Sequence, residues 1–149
     1  MIFEEVDELD LVCVLHRGEP NQECIALKAR RDMPLGAYGV MLALVGHSGS
    51  AKPIRDALYW FGNGQIKTGD WILLYTGGGE PRVSDNNEGT KTYAVFWGRS
   101  KTVFANGSVV PVLFRMDALT VGEVEEEKDQ VGERELLPAP QSSQLRLGG

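Results

Sequence analysis

The chain has 149 residues, 42% hydrophobic and 24% charged, ordinary figures for a globular protein with one real core. No apolar run approaches the roughly 18 residues a membrane helix needs. The stretch Met1–Asp10 carries five acids and no base, which reads against a secretory signal and predicts a cytoplasmic protein. Net charge is −6, and residues 120–149 hold seven acids and three bases, so the body before them is nearly neutral. A near-neutral body without a basic stripe does not match a phosphate backbone, and nucleic acid is not an expected partner.

In chain order, Leu11–Leu15 is an apolar run of strand length, and Arg17-Gly18-Glu19-Pro20-Asn21 is a turn cluster. Glu23–Ala29 alternates, with Ile25, Leu27 and Ala29 on one face. Cys13 and Cys24 flank the turn. They are too few for a disulfide framework, and each reads as a small buried hydrophobe, reduced in the cytoplasm. Tyr38–Val45 is a third strand, followed by a loop of Gly, Ser and Lys over Gly46–Pro53. A short fourth strand begins at Leu58-Tyr59-Trp60-Phe61, and Asn63-Gly64 and Thr68-Gly69-Asp70 mark turns around Ile66.

Trp71–Tyr75 is the clearest buried strand, stopped by Gly77-Gly78-Gly79, and Glu80–Gly89 reads as a long polar loop. Thr92–Trp97 and Val109–Met116 complete the series, with Pro111 placing the last strand at an edge or a bulge. Glycine, at 18 residues, punctuates these runs, and the spacing is that of an all-β domain. From Val121 the composition shifts to Glu125-Glu126-Glu127 and Pro138-Ala139-Pro140. The expected division is a β-sandwich domain over residues 1–119 and a disordered acidic tail over 120–149.

The order of particular residues adds more. Asn21-x-Glu23-x-Ile25-x-Leu27 opens a strand, and Leu35, Tyr38 and Val40 follow. Then come Tyr59-Trp60-Phe61, the turn Thr68-Gly69-Asp70, an apolar strand from Trp71, and Phe96-Trp97-Gly98 before Asn106-Gly107-Ser108. Over about residues 20–118 this set resembles the lamin tail domain family. The resemblance implies an immunoglobulin-like β-sandwich, no catalytic group, and binding to protein partners. Its pattern is a folding pattern. Ile25, Leu27, Leu35, Tyr38, Val40, Phe61, Ile66, Ile72, Leu74, Phe96, Val112 and Phe114 are the inward positions expected, and Gly69 suits a turn needing positive φ.

Chemistry-bearing residues are sparse. His16 ends a strand and His47 lies in a Gly/Ser loop; no H-E-x-x-H occurs, and both read as solvated. Gly46-His47-Ser48-Gly49-Ser50 lacks the helix that a nucleophile elbow needs, and Gly77–Gly79 lacks the Lys-Ser/Thr of a phosphate loop. No catalytic residue, cofactor or metal ligand is therefore expected. If Ala94 and Phe96 face inward, Tyr93 and Trp97 face outward beside Arg99, a composition suited to recognition.

The expected function is a non-enzymatic protein-interaction or scaffolding module. The alternative is a small ligand- or calcium-binding sandwich, or an enzyme's accessory subunit, with Asp85, Asn86, Asn87 and Glu88 as the oxygen donors. The end of the chain, Leu145-Arg146-Leu147-Gly148-Gly149, is similar to the end of ubiquitin, which gives a third reading in conjugation or processing.

Overall fold

The computed structural model describes residues 4–124. Among them every regular element is a strand: β1 Leu9–Leu15, β2 Cys24–Ala29, β3 Met33–Pro34, β4 Tyr38–Val45, β5 Ala51–Trp60, β6 Gln65–Ile66, β7 Trp71–Tyr75, β8 Arg82–Asp85, β9 Lys91–Phe96 and β10 Val109–Arg115. A five-stranded sheet runs β1-β2-β7-β9-β8, a three-stranded sheet runs β10-β4-β5, and β3 pairs with β6. All pairings are antiparallel except β7 with β9.

The two larger sheets share one core. Ile25, Leu27, Ile72 and Leu74 come from the five-stranded sheet, Val40, Leu42, Ala57 and Val109 from the three-stranded one, and Met33 and Ile66 from the small ribbon. The expected strands are all present, and Ile25, Leu27, Tyr38, Val40, Ile66, Ile72 and Leu74 are buried as expected. Gly69 adopts φ +89, and Asp70 N–H closes that turn onto the Lys67 carbonyl at 2.9 Å. Asp70 holds the turn to β9 by accepting from Lys67 N–H at 2.9 Å and Lys91 N–H at 3.0 Å.

Several expectations are corrected. The segment read as a Gly/Ser/Lys loop is a tight turn: Gly46 N–H donates to the Ser50 carbonyl at 2.9 Å, and β5 begins at Ala51. The β4–β5 ladder slips between Met41 and Ala43, and Asp56, in a left-handed conformation (φ 60), lies in the bulged part of β5. That bulge and Pro53 break the alternation by which a strand is read from sequence. The Glu80–Gly89 loop contains β8, whose four residues are all exposed and carry no apolar face to betray them.

Inward and outward faces are exchanged in two strands. In β9, Tyr93 and Val95 lie level with Ile72 and Leu74 and pack on the core, while Phe96 lies level with Tyr75 on the outer face and stacks on it, centroids 5.1 Å apart. In β10 it is Leu113, level with Val40, that packs on the core. Phe114 instead covers Gly39, where a Cβ would lie 2.5 Å from the ring. Val112 shares its outward side, level with Met41.

Candidate interaction surface

Buried polar groups are the first place to look for chemistry, because burying one without a partner is costly. Each here is occupied by the fold. Glu23, 1% exposed, accepts from Gly18 N–H at 2.8 Å, Thr76 Oγ1 at 2.7 Å, Val103 N–H at 2.7 Å and Phe104 N–H at 3.1 Å. Burial alone pushes its carboxyl up, but these four donors outweigh it and hold the carboxyl below the usual range. Glu8 accepts from the Tyr38 hydroxyl and from Arg115 Nη1 at 2.7 Å. The Tyr38 hydrogen bond foremost, then Arg115, against the cost of burial, holds the Glu8 carboxyl down at about 2.

The histidines fall in separate turns. His16 has φ 54 and its Nδ1 lies 3.7 Å from Glu19, while His47 is exposed beside Ser48 and Ser50, whose hydroxyls are 3.1 Å apart. Gly77 and Gly79 serve packing. The Gly77 carbonyl accepts from Gly98 N–H at 2.8 Å, and a Cβ on Gly79 would lie 2.6 Å from the Phe96 ring.

Around Asp85–Glu88 the oxygens diverge. Asp85 takes Lys91 Nζ at 2.6 Å, and Glu88 takes Trp71 Nε1 at 3.0 Å and Lys28 Nζ at 3.4 Å. Asn86 Oδ1 accepts from Glu88 and Thr90 N–H, folding the loop on itself. Among the described residues no group of three or more His, Cys, Asp or Glu could hold a metal ion.

The expected patch of Tyr93, Trp97 and Arg99 is rearranged by the exchanged faces. All three are half-buried, and Tyr93 and Trp97 pack on the core. Trp97 lies against Tyr59, centroids 5.8 Å apart, with the Arg99 guanidinium 5.4 Å over its ring. Trp97 through Val103 line an open depression of ≈ 490 Å³ with Arg99 and Lys101 in its wall. Leu145, Arg146, Leu147, Gly148 and Gly149 lie outside the described residues, as does the tail beyond Val124.

The surface that the sequence reading missed is the outer face of the five-stranded sheet. Its middle level is mostly low: Cys13, Ala26, Leu73 and Ala94 are consecutive partners across β1, β2, β7 and β9, all small but Leu73. Cys13 is exposed on this face, because it lies on the edge strand, and is not the buried hydrophobe expected of it. Taller rows flank the middle level. On one side stands Trp71, with Lys28 Nζ 5.2 Å over its ring. On the other stand Tyr75 and Phe96, with the Arg82 guanidinium 5.7 Å over Phe96. Small residues between tall aromatic ones make a trough across the strands. Part of it is an open, mostly apolar depression of ≈ 420 Å³ lined by Val12, Leu15, Trp71 and Leu73, with Asn86, Asn87 and Glu88 at its rim.

The fold and this surface define an all-β domain with a shared core and an apolar, cation-rimmed outer trough. Compared with protein-family models, curated proteins and solved structures, the chain matches none. No helix among the described residues is long and apolar enough to cross a membrane.

Proposed function

We infer that the protein is a non-enzymatic interaction module with an immunoglobulin-like sandwich of lamin-tail type, and that it docks a protein partner in the outer trough. The trough carries this reading. A solvated sheet face normally alternates polar outward residues, whereas this one presents Trp71, Leu73, Tyr75 and Phe96 around small neighbours. Large aromatics beside Arg are the composition of binding hot spots. Two sheets over one core support the sandwich reading, and the order of Asn21 to Asn106-Gly107 supports the lamin-tail type. Two free thiols, Cys13 exposed and Cys24 buried, fit a reducing cytoplasm.

Leu73 faces outward between buried Ile72 and Leu74, so a charge there strikes the trough and spares the core. Leu73→Asp is expected to abolish co-purification of a stoichiometric protein partner from the source cell, with the melting temperature within a few degrees of the parent. A partner retained in full by a folded Leu73→Asp protein would remove the trough from the function.

A further inference from the structure

We propose that the exposed edge of β1 pairs antiparallel with the same edge of a second copy, joining two five-stranded sheets into one. An outer strand offers unpaired backbone N–H and C=O groups to any passing chain, and proteins guard such edges with charge, proline or short length. The four outer strands of the two larger sheets can be compared directly. β10 has Pro111 in its middle; β5 has Lys52, Pro53, Arg55 and the left-handed Asp56; β8 is four residues long with Arg82 and Asp85 at its ends. β1 has Asp10 near its start, but from Leu11 to its end it runs Leu11-Val12-Cys13-Val14-Leu15, five residues with neither charge nor proline, and Val12 is 46% and Leu15 39% exposed. Its one irregularity is the bulge at Val12, which leaves Cys13–Leu15 in regular pairing with β2.

Charge favours a second copy in antiparallel sense. The accessible acids before the apolar run are Asp7 and Asp10, and the cation after it is Arg17. Antiparallel self-pairing brings these acids towards the partner's Arg17, and parallel pairing sets acid beside acid. A two-fold axis at Val14 preserves the alternation of the regular segment. Cys13 then meets the partner's Leu15 on the outer side, the two Val14 side chains meet on the core side, and Asp10 comes beside the partner's Arg17. The same patch serves both copies, so the contact closes as a dimer and cannot propagate as a fibre. Both troughs then open on the same face of a continuous ten-stranded sheet.

The two Cys13 thiols are separated by one strand spacing of about 5 Å and two residue steps of about 7 Å, within reach of a short bismaleimide. Cys24 is buried, and its thiol is pushed up to about 11, so Cys13 is the reactive one. Sedimentation of the full chain is expected to give twice the 16.4 kDa chain mass at micromolar concentration, with the bismaleimide capturing that dimer through Cys13. Val12→Lys, which sets a cation near the partner's Arg17, is expected to give a folded monomer. Val83→Lys on the guarded β8 edge should leave the dimer intact. A native chain that is monomeric up to near-millimolar concentration, a dimer that Cys13 does not cross-link, or a dimer unchanged by Val12→Lys would each overturn the proposal. The cross-link is read on the native chain, so it decides even if Val12→Lys fails to fold.

Discussion

Glu8 is 8% exposed, yet it lies next to the acids Asp7 and Asp10, where charge alone marks it as surface. The structure spends it on Tyr38 and on Arg115, which draws a residue from just before β1 onto β4 and β10. Because its folded carboxyl is held near 2 against an ordinary 4.5, the ionised form is the stabilising one. The contribution is therefore present above about pH 4.5 and is lost as pH falls towards 2. Arg115 is 39% exposed, so solvent screens part of the attraction. Glu8→Gln is expected to cost about 1–2 kcal/mol at pH 7, with the two proteins' urea midpoints converging as pH is lowered from 4.5 to about 2. A constant difference across that range would assign the loss to packing, not ionisation.

At the scale of elements, β7 shows what a sequence can and cannot disclose. Trp71-Ile72-Leu73-Leu74-Tyr75 announces a strand, but five apolar residues in a row have no period, so nothing tells inside from outside. The structure alternates strictly: Ile72 and Leu74 are buried, and Trp71, Leu73 and Tyr75 are half-exposed. Leu74→Ala is expected to cost about 2–5 kcal/mol in urea unfolding, as removal of a fully buried leucine does. A loss under about 1 kcal/mol would mean that Leu74 is not central to the core.

The same lack of period hid the faces of β9 and β10. In Thr92–Trp97 and Val109–Arg115 both sides of the strand carry large apolar residues, so assigning Phe96 and Phe114 inward was as consistent with the pattern as the reverse. Only pairing decides, through Leu74 with Val95 and Val40 with Leu113. β2, where Lys28 breaks the run, was legible residue by residue. The trough was out of reach because its middle row is assembled from one residue in each of four strands, and register across strands is not written in any one segment.

At the scale of the whole molecule, the polar clamps sit at the ends and the apolar surfaces lie between. Glu23 adjoins the start of β2, and the Glu8 carbonyl accepts from Arg30 N–H just past the end of β2. At about 3.3 Å per residue the two carboxylates are roughly 20 Å apart, and they share no hydrogen-bond partner. Glu23 ties the β1–β2 turn to Val103 and Phe104 ahead of β10, and it leaves buried donors if it is altered. Glu23→Gln is expected to cost about 2–4 kcal/mol, more than Glu8→Gln, because an amide accepts through one oxygen and turns its own N–H groups towards the remaining donors. Sites this far apart without common partners act independently, so the double variant should lose the sum of the two single losses to within about 0.5 kcal/mol. Urea denaturation of the four proteins at pH 7 measures this. A double loss short of the sum by more than about 1 kcal/mol would show that one end of the sandwich already loosens when the other is released, so that the clamps act as one unit through β2.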